Sequence, residues 1–129
     1  MTKSDALLVI FFFNRIQGKS KLMGFFSKLF GGGNSALEQV LKDGCVIIDV
    51  RTKQEYKEGH IRGAINIPLN QIPKEIKRLK AKNKPIVTCC RSGGRAGSAT
   101  SILKEAGIEC YNGGGWASLR KKVAASKKK

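Results

Sequence analysis

Pro85-Ile86-Val87-Thr88-Cys89-Cys90-Arg91-Ser92-Gly93-Gly94-Arg95 joins an apolar, β-branched run to a short loop with two glycines, closed by an arginine. Ala96 to Ala106 follows, with apolar residues at Ala99, Ile102, Leu103 and Ala106, the spacing of a helix. The order strand, glycine loop, helix start makes an anion cradle. Successive backbone N–H groups and the positive end of the helix dipole point into such a loop. The same field, with Arg91 and Arg95 beside it, favours a thiolate at Cys90 over a thiol. Cys90 is therefore the candidate nucleophile. Arg91, Ser92, Gly93, Gly94 and Arg95 form the candidate cradle for an anionic substrate.

Working outward, strand-like and helix-like segments alternate. Ser35-x-x-Glu38 is a capping box that opens a helix through about Lys42, stopped by Gly44. Val46-Ile47-Ile48-Asp49-Val50 is a continuous apolar run, as a buried parallel strand requires. Thr52-x-x-Glu55 is a second capping box, for a short helix ending near Gly59. Ala64–Ile67 reads as a strand ended by Pro68, and Ile72, Ile76 and Leu79 line one face of a third helix. After the loop and its helix, Ile108–Tyr111 gives a last strand, Asn112–Gly115 a turn, and Trp116–Val123 a closing helix. This alternation predicts an α/β fold with a parallel sheet covered on both faces. Ligands of such sheets sit at the carboxyl ends of the strands, where Cys90 and Asp49-Val50-Arg51 both fall. Asp49 is a supporting candidate: it either pairs with a loop or helix arginine or caps its own strand end.

Of 129 residues, 41% are apolar, which suits one domain with a single core. The expected organisation is an N-terminal extension over 1–33, a folded domain over 34–123 and a basic tail over 124–129. Ten of the sixteen net positive charges lie within residues 1–33 and 120–129. Those ends show no nucleic-acid motif, so no nucleic-acid partner is expected. The apolar run Ala6–Phe13 is far shorter than the ~20 residues of a membrane span. It has the length of a secretory hydrophobic region, but Asp5 precedes it and no A-x-A site follows, so the expected location is the cytoplasm. Met23 is an alternative start. The spacing of Cys45, Cys89, Cys90 and Cys110 fits neither a disulfide framework nor a zinc site.

Four segments together resemble the single-domain members of the rhodanese (thiosulfate sulfurtransferase) family, over roughly Ser35 to Leu119. They are Val46–Arg51 with Glu55-Tyr56; Gly59-His60-Ile61-Arg62-Gly63-Ala64-Ile65-Asn66-Ile67-Pro68; Cys90-Arg91-Ser92-Gly93-Gly94-Arg95; and Gly113-Gly114-Gly115-Trp116. The resemblance implies a sheet of about five parallel strands and a persulfide on Cys90, wrapped by residues 91–95. It also implies sulfane-sulfur transfer from thiosulfate or a similar small anion to a thiol, a protein acceptor or cyanide. No metal or organic cofactor is implied, and the expected assembly is a monomer. Ala96 stands where a serine is common, and Arg62 where many relatives have proline. Two other readings remain: a cysteine phosphatase or arsenate reductase, since Cys89 to Arg95 satisfies C-x5-R, and a sulfur-relay module that docks on a protein.

Overall fold

The structure, a computed structural model, describes residues 33–127. The expectations for residues 1–32, including the run at 6–13 and the start at Met23, lie outside the described residues. So do the Ser35 side chain and the last two lysines. The chain order is α1 (Gly33–Asp43), β1 (Val46–Asp49), α2 (Lys53–Glu58), β2 (Ile65–Asn66) and α3 (Ile72–Ala81). It continues through β3 (Ile86–Cys90), α4 (Gly94–Glu105), β4 (Cys110–Gly115) and α5 (Trp116–Ser126). A 3-10 turn, Leu69–Gln71, leads into α3. Among the described residues no helix is long and apolar enough to cross a membrane.

All strands run parallel, in the order β2-β1-β3-β4. Among the described residues the sheet has four strands, against the approximate five of the family resemblance. Both faces are covered, because alternate residues along the buried strands serve separate apolar clusters. Ile48, Val50, Ile86 and Cys90 pack with Ile72 and Leu79 of α3 and with Ala96, Ala99 and Leu103 of α4. Val87 and Cys89 pack on the other face, with Leu37 and Val40 of α1 and Leu119 and Val123 of α5.

The caps explain where the chain turns. Thr52 Oγ1 accepts from the Glu55 N–H at 3.1 Å, and Glu55 Oε1 accepts from the Thr52 N–H at 3.0 Å, so the predicted box forms at the start of α2. Gly59 ends that helix. His60 Nδ1 lies 2.7 Å from the Tyr56 carbonyl and its ring stacks on Tyr56 at 3.6 Å, a turn-holding role.

Several boundaries differ from the sequence reading. Cys90 is the last residue of β3 rather than the first beyond it, and α4 starts at Gly94 rather than Ala96. Gly93 causes both: at φ +109° it turns the chain back within three residues of the strand. The third difference is the glycine run, which continues β4 instead of forming a turn. Thr88 pairs with Asn112 but Cys90 with Gly115, so β4 carries one residue more than β3 there. A Cβ at Gly113 would lie 2.7 Å from the Thr88 carbonyl oxygen, and one at Gly115 2.7 Å from that of Arg91. Only glycine lets β4 approach so closely. Finally, α5 runs three residues past Val123, to Ser126, whose hydroxyl donates to the Val123 carbonyl at 2.7 Å.

Gly113→Ala should consequently lower unfolding stability by about 1–3 kcal/mol in urea titrations, since its methyl meets Thr88, Leu119 and Val87 at 2.7–2.8 Å. A variant as stable as the parent would show that β4 can move away from β3 at no cost.

Candidate active site

The loop after β3 is short because the strand end and the helix start share it. Cys90 is only 1% exposed, yet its sulfur faces backbone donors rather than apolar carbon alone. The Gly93 N–H donates to Cys90 Sγ at 2.9 Å and the Ala96 N–H at 3.4 Å. Burial pushes the thiol's pKa up, but the N–H groups of Ala96, Gly93, Ser92 and Arg95 outweigh it and leave it below the ordinary value. These amides belong to the loop and the first turn of α4, where the chain has no internal acceptors for them. Thr88 secures that helix end: its hydroxyl donates to the Ala96 carbonyl at 3.1 Å and lies 2.8 Å from Thr100 Oγ1. Ala96 itself is fully buried.

Cys89 is a different thiol. It is fully buried on the opposite face, and its pKa is pushed up to about 12, by burial first and the Asp49 charge second. Strand alternation points the two adjacent sulfurs apart, so a Cys89–Cys90 disulfide would require β3 to open. Cys110, also buried, is raised to about 11. All four cysteines are free.

The remaining candidates separate into two groups. Arg91, Ser92 and Gly94 are exposed along the loop, and Gly93 supplies the turn. Arg95 lies in the first turn of α4 and points its fork at Glu55: Nη1 donates to Oε1 at 2.8 Å and Nη2 to Oε2 at 3.1 Å. That guanidinium, together with the Thr52 N–H, draws the Glu55 carboxyl down to about 2. The capping-box glutamate thus clasps the loop. In the sequence Glu55 is a helix cap within a family-like segment, and no local pattern signals a partner forty residues away.

Asp49 does not reach the loop. It is fully buried, and Oδ1 accepts from the Arg51 N–H at 3.0 Å and from Nε at 2.9 Å, while Oδ2 accepts from Nη2 at 2.7 Å. Arg51 also donates to the Gly59 carbonyl at 2.6 Å and lies over the Trp116 ring, 4.8 Å from its centre. Asp49 therefore pairs with the arginine just beyond its own strand, not with Arg91 or Arg95. It accepts from the backbone just past its strand end and pairs with the arginine there, tying β1 to the turn before β2.

A hollow of about 270 Å3 lies at this edge of the sheet, between Val50, Leu69 and Arg95. A larger one, about 360 Å3, opens around Cys45, Val46 and Ile65 at the amino ends of the strands, so size alone does not mark the site. Among the described residues no three His, Cys, Asp or Glu side chains group as metal ligands.

Comparison with known proteins agrees with this geometry. Residues 34–122 match the Rhodanese-like domain. Thiosulfate sulfurtransferase PspE of Escherichia coli is 39% identical over 70 residues, covering 53% of this chain and 67% of that protein. Uncharacterized protein YqhL of Bacillus subtilis is 37% identical over 83 residues, covering 63% of this chain and 65% of that protein. The chain thus spans about two thirds of the length of these relatives. A solved rhodanese with anions from E. coli superposes with a TM-score of 0.53 at 36% identity, over 57% of this chain and 89% of that one. With its domain match, parallel sheet and cysteine loop, the chain belongs to the rhodanese-like domain family.

Proposed function

We propose that the protein is a sulfurtransferase that takes sulfane sulfur from thiosulfate or a similar small anion and carries it as a persulfide on Cys90. The observation that carries this reading is the convergence of the Gly93 and Ala96 N–H groups on Cys90 Sγ. Such donors serve an anionic sulfur twice. They hold the attacking thiolate, and they stabilise the terminal charge of the persulfide that replaces it. The thiolate attacks the outer sulfur of thiosulfate; the S–S bond breaks and sulfite leaves with the electron pair. An acceptor thiolate, or cyanide in an assay, then attacks the outer persulfide sulfur and returns Cys90 as thiolate. This is two-step covalent chemistry with no added oxidant or reductant. The loop amides take the place of a general base by favouring the thiolate.

The two arginines divide the work. Arg91, exposed on the loop, draws the anionic donor inward at long range. Arg95, held by Glu55, braces the loop so that the amides keep their aim. The chemistry requires a reduced Cys90, which suits a reducing compartment such as the cytoplasm. The phosphatase or arsenate-reductase reading counts its loop from Cys89. A fully buried thiol raised to about 12, on the face away from the loop, is a poor nucleophile for that role. A protein acceptor remains compatible with the same persulfide.

Incubation with thiosulfate should add the mass of one sulfur to Cys90. Cys90→Ser should abolish both this adduct and thiosulfate:cyanide transfer, whereas Cys89→Ala should retain both and lose about 1 kcal/mol of stability. Hydrolysis of p-nitrophenyl phosphate surviving in Cys90→Ser would overturn the assignment.

A second expectation concerns pH. Alkylation of Cys90 by iodoacetamide should rise with pH through a midpoint below that of the same protein unfolded in urea, since the folded thiol's pKa is lowered. The linked stability is present above the unfolded thiol's pKa and is lost as pH falls through the folded one. Coincident folded and unfolded midpoints would show that the amides do not favour the thiolate.

A further inference from the structure

The hollow beside the loop is lined by Val50, Thr52, Pro68, Leu69, Asn70 and Arg95, and its surface is almost wholly apolar. Two of its polar members spend their hydrogen bonds on one carboxylate. Thr52 Oγ1 donates to Glu55 Oε1 at 3.1 Å, and the Arg95 fork donates to both Glu55 oxygens. The positive charge at the rim is therefore already matched. Val50 and Leu69, joined through the Leu69 N–H and the Val50 carbonyl at 3.0 Å, pack in the same apolar cluster as Cys90. Arg95, in the first turn of α4, turns its N–H toward the Cys90 sulfur and also lines the hollow. One residue thus links two opposite chemistries: amides for a charged sulfur and a carbon surface for a ligand.

We propose that this hollow receives the hydrocarbon part of an organic thiol acceptor, so that the site prefers an alkyl thiol to a small or highly polar one. The proposal rests on the sulfurtransferase reading and specifies its second step. In that step the acceptor thiolate attacks the outer sulfur of the Cys90 persulfide. The Cys90 S–S bond breaks, the new bond forms within R–S–S⁻, and Cys90 leaves as thiolate. An alkyl chain lying against Val50, Pro68 and Leu69 during the attack gives up its water at the moment its sulfur reaches the persulfide. Cyanide has no such chain and gains nothing from the apolar walls.

The test uses protein loaded with thiosulfate, with loading verified by mass. Second-order rate constants for sulfur transfer are then measured for ethane-, propane-, butane- and pentanethiol at equal thiolate concentration. The four thiols have the same reactive group, so chain length is the variable. The rate should rise roughly threefold per methylene until the chain fills the hollow. Leu69→Ala and Leu69→Asn, read by the slope of the series rather than by absolute rate, should each flatten it. A flat series in the loaded protein, or an undiminished slope in both Leu69 variants, overturns the proposal alone. Protein that never gains sulfur overturns the sulfurtransferase reading and the proposal together.

Discussion

A buried sulfur surrounded by backbone donors is the constraint around which this domain is organised. Burial by itself raises the pKa of a thiol. Cys89 and Cys110, set deeper in the protein than Cys90, are raised to about 12 and 11. Cys90 shifts the other way because four amides at the loop and the start of α4 aim at its sulfur. In a medium that screens charge poorly, a few fixed dipoles at hydrogen-bond distance outweigh the loss of water. One residue of displacement along β3 separates the two outcomes.

Much of the remaining architecture holds those amides in place. Gly93 turns the chain so that α4 begins over the strand end, and Thr88 grips the Ala96 carbonyl from beneath. The glycine bulge brings β4 against the Thr88 and Arg91 carbonyls, closing the sheet beside the loop. From the other side, Glu55 combines two jobs, completing the cap of α2 and holding Arg95. The Asp49–Arg51 pair works at a distance from the sulfur. A buried ion pair of this kind contributes little net stability, since desolvation offsets attraction. Its value is geometric: Arg51 holds the Gly59 turn and the Trp116 ring at the end of β1.

Local signals placed most elements correctly. The apolar runs at Val46–Val50 and Ile86–Cys89, the Thr52–Glu55 box and the amphipathic stretch from Ile72 are set by side-chain periodicity and by backbone groups within one turn. Their physics lies within a few residues, so a linear reading finds them. Errors fell where long-range approach decided the conformation. Gly113-Gly114-Gly115 looks like a turn in isolation, because nothing nearby shows that Thr88 and Arg91 will pass within contact distance.

From the sequence alone come the strand, loop and helix around Cys90, the parallel α/β class and the reactive thiol proposed for this site. These follow from glycine's backbone freedom, helix-end amides and alternating apolar runs, all local properties. The tertiary structure alone decided two things: that Arg95 answers to Glu55, and that an apolar hollow flanks the start of α4. Each depends on which side chains meet once the sheet is covered on both faces. A parallel sheet brings together residues far apart in the chain, and no spacing within one segment records that meeting.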